Sequence, residues 1–184
     1  EYNGIKFFNG DGYKLDDLLE EKIEDLILSS VDVNSHITGD LIGKCLVAEE
    51  NARALYEQHL LETVDYRLDG KKIVLDCANG AAYLAAPRVY RELGAEVIVL
   101  SDEPNGVNIN ENCGSTHPER MAAKVRETGA DLGLAFDGDA DRLIVCDNLG
   151  RIVDGDKTIA ICARMLKREG RLAENKVTAT VMSN

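Results

Sequence analysis

Between residues 14 and 28 the apolar side chains Leu15, Leu18, Leu19, Ile23, Leu26 and Ile27 recur at steps of one to four. This spacing predicts an amphipathic helix. Acidic Asp16, Asp17, Glu20 and Glu21 crowd its first turns, where the helix dipole favours negative charge. Residues 29–40 are polar and non-periodic and read as a linker. A second helix is predicted over about 49–64.

The period then changes. Residues 72–77 (KIVLDC) form an apolar run suited to a parallel strand buried on both faces. The run enters the turn Ala78-Asn79-Gly80, followed by a small-residue helix over about 81–93 with Gly94 as its C-terminal cap. Residues 96–100 are the next strand, so the unit is a βαβ crossover onto a parallel sheet. After a loop over 101–115, Thr116 and Glu119 have the spacing of a capping box, with Pro118 in the first turn. That helix is predicted to run to about 127 and stop at Gly129. Strands follow at 132–136 and 143–146, and a turn at 148–150 leads into a short strand at 151–153, completing a hairpin. A helix over 155–168 and a strand over 176–182 begin another αβ unit. Together these elements predict an α/β fold, a mixed and mainly parallel sheet flanked by helices.

The candidate chemistry sits at the end of the run 132–136. Asp137, Asp139 and Asp141 occupy alternate positions, and Arg142 follows at once. In an extended segment alternate side chains point the same way. Three converging carboxylates repel one another unless a cation sits among them. Hard oxygen donors suit Mg²⁺, Mn²⁺ or Ca²⁺. The spacers Gly138 and Ala140 are small enough for a tight bend. An EF-hand beginning at Asp137 would need Gly at its sixth position and Glu at its twelfth. Those positions hold Arg142 and Asn148, which excludes it. A dehalogenase-type phosphatase, with Asp137 as nucleophile, stays open. The Asn79-Gly80 turn lacks the glycine pattern of a dinucleotide site and the Gly-Lys-Ser/Thr of a P-loop, so it reads as a tight strand-to-helix turn.

Composition narrows the classes. The 184 residues are 45% hydrophobic and 29% charged, as in one or two globular domains. A net charge of −12 argues against nucleic acid and anionic membranes as partners. It leaves room for an anionic substrate held by a metal or a local positive patch. Cys45, Cys77, Cys113, Cys146 and Cys162 are widely spaced, odd in number and without a CxxC, which reads as reduced thiols in a cytoplasmic protein. Cys113 and His117 lack the further ligands a zinc site needs. No apolar stretch approaches the roughly 20 residues of a membrane span, and no signal peptide is visible. The start at Glu1 and the end just after an apolar run read as those of a piece of a longer protein.

Four segments carry a resemblance: LDCANGAAY (75–83), GVNINENCGSTHPE (106–119), LAFDGDADR (134–142) and TVMSN (180–184). Together they resemble the bacterial phosphoglucosamine mutases, a family of the α-D-phosphohexomutase superfamily. The resemblance implies a four-domain enzyme that interconverts glucosamine 6-phosphate and glucosamine 1-phosphate through a bisphosphate intermediate. It implies a phosphorylated serine as donor, and Mg²⁺ held by three aspartates and a phosphoserine oxygen. On this chain the metal ligands are then Asp137, Asp139 and Asp141, and Arg142 is the loop arginine beside the phosphoserine. The segment 2–6 matches the stretch after the family's serine loop, which makes Lys6 the candidate general acid/base. His117 is given a structural role near a helix start.

The resemblance divides the chain into the tail of a first domain with linker (1–34), a second domain bearing the metal loop (35–150) and the start of a third (151–184). The serine loop, sugar loop and C-terminal phosphate-binding loop of the family have no counterpart here. The expectation is therefore an inactive fragment with weak or absent Mg²⁺ binding. A non-catalytic binding or assembly domain, homodimeric through its exposed edges, is the third reading.

Overall fold

The run at 72–77 becomes an interior strand of a sheet, with a parallel neighbour on each side. In the computed structural model, which describes residues 6–29, 38–39, 42–44 and 51–183, the chain divides into two units, Glu1–Ala48 and Glu49–Asn184. The expected linker falls largely outside the described residues.

In the first unit, Phe8 and Lys14 form an antiparallel bridge around a turn. The Asn9 side chain closes that turn by accepting from the N–H groups of Asp11 and Tyr13. Helix α1 spans Asp17–Leu28, capped by Asp16, whose carboxylate accepts from the Leu18 N–H. Its apolar stripe matches the sequence pattern, yet none of its residues is buried.

The second unit opens with α2 (Ala52–Glu62), capped by Asn51. Then follow β1 (Lys72–Asp76), α3 (Ala82–Glu92), β2 (Glu96–Leu100), α4 (Glu119–Thr128), β3 (Leu132–Phe136), β4 (Leu143–Asp147), β5 (Ile152–Val153) and α5 (Gly155–Arg168). The sheet order is β2-β1-β3-β4-β5. Strand β1 pairs parallel with β2 and β3, whereas β3–β4 and β4–β5 are antiparallel. The fold is thus mixed α/β, with three parallel strands at one side of the sheet extended by an antiparallel hairpin at the other.

Alternation along β1 explains the three consecutive apolar residues Ile73, Val74 and Leu75 at its middle. Val74 packs with Met121, Ala122 and Val125 of α4 on one face. Ile73 and Leu75 pack with Tyr83, Ala86 and Tyr90 of α3 on the other. Successive side chains face opposite ways, so both sets must be apolar. Gly133 lets α4 settle onto β3, because a Cβ there would lie 2.1 Å from the Met121 Sδ and 2.8 Å from Val125. Helix α2 joins α3 through Glu57, a buried carboxylate facing Arg88 at 3.1 Å and Arg53 at 3.5 Å.

Three local expectations are corrected. Thr116 does not cap α4: it belongs to a 3₁₀ turn, Gly114–Thr116, and Pro118 occupies the cap position without a side-chain bond. Glu119 instead faces His117 Nδ1 at 3.2 Å, which gives His117 its structural place at the start of α4. Residues 176–182 are not a strand. A strand needs a neighbour to satisfy its ladder, and among the described residues this segment pairs with none; Val181 is fully exposed. The aspartates do not sit on a continued strand either, since β3 ends at Phe136 and the loop turns.

Candidate metal centre

β2 and β3 lie on opposite sides of β1: the chain runs from β1 through α3 to β2 on one side, then back through α4 to β3 on the other. Open α/β sheets form a ligand crevice where the strand order reverses in this way. The turn after β1 and the aspartate loop after β3 both lie at that end of the sheet.

The loop is a closed turn. Asp137 N–H donates to the Arg142 carbonyl at 3.3 Å, and Ala140 N–H donates to the Asp137 carbonyl at 3.1 Å. Ala140 takes a left-handed conformation, φ 61°, which its small side chain tolerates better than a branched one. This turn, rather than strand alternation, brings the carboxylates together. Asp137, Asp139 and Asp141 each offer an oxygen, all within 4.8 Å of one another. Among the described residues they are the one such cluster of His, Cys, Asp or Glu side chains.

The three carboxylates are not equivalent. Asp137 is buried at 2% exposure, whereas Asp139 and Asp141 are exposed. Asp137 Oδ1 accepts from the Arg142 backbone N–H at 2.9 Å, and Oδ2 accepts from Arg142 Nε at 2.9 Å. Burial pushes the Asp137 carboxyl up, but the two hydrogen bonds and the charge of Arg142 outweigh it and hold it below the usual range. The charge of Asp139, then burial and Asp137, push the Asp141 carboxyl up, and Arg142 at 3.7 Å only partly offsets this. Unrelieved repulsion among hard oxygen donors is what a divalent cation would remove.

The donor set fits Mg²⁺. At Mg–O distances of about 2.0–2.1 Å, ligand oxygens around one ion lie roughly 3–4 Å apart. Rotation of the two exposed carboxylates can close the present spread. Asp139 and Ala140 also border a groove of about 560 Å³ lined by Tyr56, Leu60, Ala82 and Phe136, so the loop is open to approach on that side. Lys6 belongs to the first unit and is exposed there; residues 2–5 lie outside the described residues.

Residues 54–150, more than half of the chain, match the family described as phosphoglucomutase/phosphomannomutase, alpha/beta/alpha domain II. The chain belongs to this phosphohexomutase family. The phosphoglucosamine mutase of Alkaliphilus metalliredigens is 53% identical over all 184 residues, and that of Thermoanaerobacter sp. (strain X514) is 54% identical over the same span. The chain covers 41% of the length of each of these phosphohexomutases. A crystal structure of a phosphoglucomutase/phosphomannomutase family protein from Burkholderia thailandensis aligns with a TM-score of 0.55 at 33% identity. That alignment covers 64% of this chain and 26% of the other. Family membership removes the dehalogenase-type reading of Asp137.

The remaining chemistry is quiet. Cys77, Cys113 and Cys146 are buried free thiols, and Cys162 is free and exposed. Burial pushes the Cys77 thiol up to about 12, which leaves it protonated and unreactive. No helix among the described residues is long and apolar enough to cross a membrane. Sequence reasoning missed the support beneath the loop. Ala81 N–H donates to the Gly138 carbonyl at 2.8 Å, so the Asn79-Gly80 turn lies directly against the aspartates. A glycine held at a strand end was the available signal, because glycine there permits close backbone approach.

Proposed function

We propose that this chain is the metal-loop portion of a phosphoglucosamine mutase, an isomerase that interconverts glucosamine 6-phosphate and glucosamine 1-phosphate through a bisphosphate intermediate. The carrying observation is the cluster of Asp137, Asp139 and Asp141, oxygens within 4.8 Å, at the switch point of the sheet. The identity to phosphoglucosamine mutases over the full 184 residues supports the choice of sugar.

Phosphoryl transfer depends on positioning and on neutralising charge at the moving group. Bound Mg²⁺ supplies positive charge for that purpose. The chain's own residues build the seat. Asp137 is fixed by Arg142 and is the rigid ligand, while Asp139 and Asp141 are free to close on the ion. Arg142 keeps a guanidinium beside the ligands, 66% exposed and able to face a phosphate. Lys6 is the proposed general acid/base, and the phosphorylated serine is proposed to lie outside these 184 residues. The proposed division is the tail of a first domain at 1–34, the metal-bearing domain at 35–150 and the start of a third at 151–184. The setting is cytoplasmic, and apolar α5 side chains such as Ile161, 59% exposed, favour self-association, which light scattering would report.

The test compares two proteins. The complete mutase carrying these residues is expected to turn over glucosamine 6-phosphate and to lose that activity with Asp139→Ala. The pure 184-residue chain is expected to show none and to bind Mg²⁺ weakly by calorimetry. Turnover by the chain alone, or full activity in Asp139→Ala, would overturn the proposal.

A further inference from the structure

Gly138, the spacer between Asp137 and Asp139, is clamped by distant parts of the chain, on one side by backbone and on the other by side chains. On one side is Gly80. A Cβ on Gly80 would lie 2.3 Å from the Gly138 carbonyl oxygen, 2.7 Å from its Cα and 2.8 Å from its carbonyl carbon. All three atoms are backbone, so none can swing away as a side-chain tip would. The adjacent Ala81 N–H donates to that same carbonyl oxygen at 2.8 Å. On the other side is the loop before the 3₁₀ turn. A Cβ on Gly138 would lie 2.7 Å from Ile109 Cδ1 and 2.9 Å from Asn110 Nδ2.

The turn 78–81 is anchored without help from the aspartates. Fully buried Asp76 accepts from the Ala78 N–H through Oδ1 at 3.0 Å. Ala78 and Asn79 are both left-handed, at φ 54° and 47°. Two consecutive non-glycine residues in that region are costly and persist only where the surroundings impose them. Here the surroundings are visible. Asn79 N–H donates to the Ser101 carbonyl at 2.7 Å, its side-chain amide donates to the Asn108 carbonyl, and its Oδ1 accepts from Glu103 N–H. Asn110 N–H donates to the Ala78 carbonyl at 2.9 Å, tying the second jaw of the clamp to the first.

We infer that the β1–α3 turn is the positioning element of the metal loop, and that Gly80 is its contact residue, setting the spacing of Asp137, Asp139 and Asp141 through Gly138. The inference rests on the metal-centre reading and adds residues that touch neither ion nor substrate. Any side chain at position 80 pushes the Gly138 peptide outward and spreads the carboxylates. Affinity for a divalent ion then falls further than the loss of fold stability accounts for.

The test measures Mn²⁺ binding to the folded 184-residue chain by water-proton relaxation, well below its unfolding temperature. Gly80→Ala is expected to bind about 10–100-fold more weakly than the parent, the range seen when support behind a metal ligand is removed. Gly133→Ala is the control: it crowds Met121 and Val125 in the core, so it should lower the unfolding temperature and leave Mn²⁺ affinity unchanged. Equal affinity in Gly80→Ala and the parent would overturn the inference. If Gly80→Ala does not fold, Ala81→Pro replaces it. The φ of −59° at Ala81 accepts proline, which removes the N–H donated to Gly138. If Mn²⁺ binding by the parent is too weak to measure, as the weak site expected of this chain alone allows, the loop itself is read instead, and the metal-centre reading stands or falls on Asp139→Ala in the complete mutase. Backbone amide shifts of 137–142 then decide the positioning claim, and shifts unmoved by the substitution would sink it.

Discussion

At the scale of single residues, the site is a balance between one paired carboxylate and two crowded ones. Asp137 is held by Arg142, whereas Asp141 is raised chiefly by its neighbour Asp139. Removing one crowded charge should therefore have opposite effects on the two properties of the loop. Asp141→Asn is expected to raise the unfolding temperature slightly in EDTA and to weaken Mn²⁺ binding by about tenfold or more. Thermal unfolding with and without Mn²⁺ checks both signs in one series. Both changes in the same direction would contradict a repulsive ligand set. The aspartates and Arg142 were legible from sequence, because a triplet of like charges beside an apolar run has few bland explanations. Gly80 was not, since its role depends on an atom of residue 138.

At the scale of elements, caps and turns decide where each periodic segment ends. Gly129 closes α4 in the left-handed region at φ 63°, with open space around the position of a Cβ. Gly129→Ala should therefore cost only the backbone strain, about 1 kcal/mol, read from urea unfolding, and Gly129→Asn should cost less. The β4–β5 hairpin depends on Asp147. Its Oδ1 accepts from the N–H groups of Leu149 and Arg151, and Oδ2 accepts from Arg151 Nε. The Arg151 side-chain bond, then the backbone bonds, hold the Asp147 carboxyl below its usual range. A carboxylate depressed in the folded state binds fewer protons there than in the unfolded chain. Its stabilisation is thus fully present above the unfolded value, near 3.9, and is lost as pH falls through the lower folded value. Asp147→Asn should flatten the fall in stability below about pH 4, measured by urea unfolding across that window. An unchanged acid profile would remove Asp147 from the account.

At the scale of the whole molecule, one sheet carries both the core and the site. Leu75 is fully buried beneath α3 and lies one residue before Asp76, which holds the turn. Leu75→Ala is expected to cost about 2–5 kcal/mol, the range for a core leucine that leaves a cavity, as an earlier midpoint in urea. The second unit should respond as a body, because its sheet shares residues with clusters on both faces.

What the amino-acid sequence determined by itself was local. Helical spacing, short apolar runs and turn or cap signals placed α1 to α5 and β1 to β5 within a few residues, since those patterns arise from neighbours along one helix or strand. The apolar run of β1 even announced burial on both faces. Tertiary structure decided whatever needed a distant partner. It settled the order β2-β1-β3-β4-β5, the failure of 176–182 to become a strand without a pairing edge, and the loss of the Thr116 cap to a 3₁₀ turn. It also decided that Gly80 and Gly138 meet backbone to backbone. Two peptides far apart in the chain carry no shared pattern in their side chains. Only the packing of β1 beside β3 brings them within contact, and that contact sets the geometry of the aspartates.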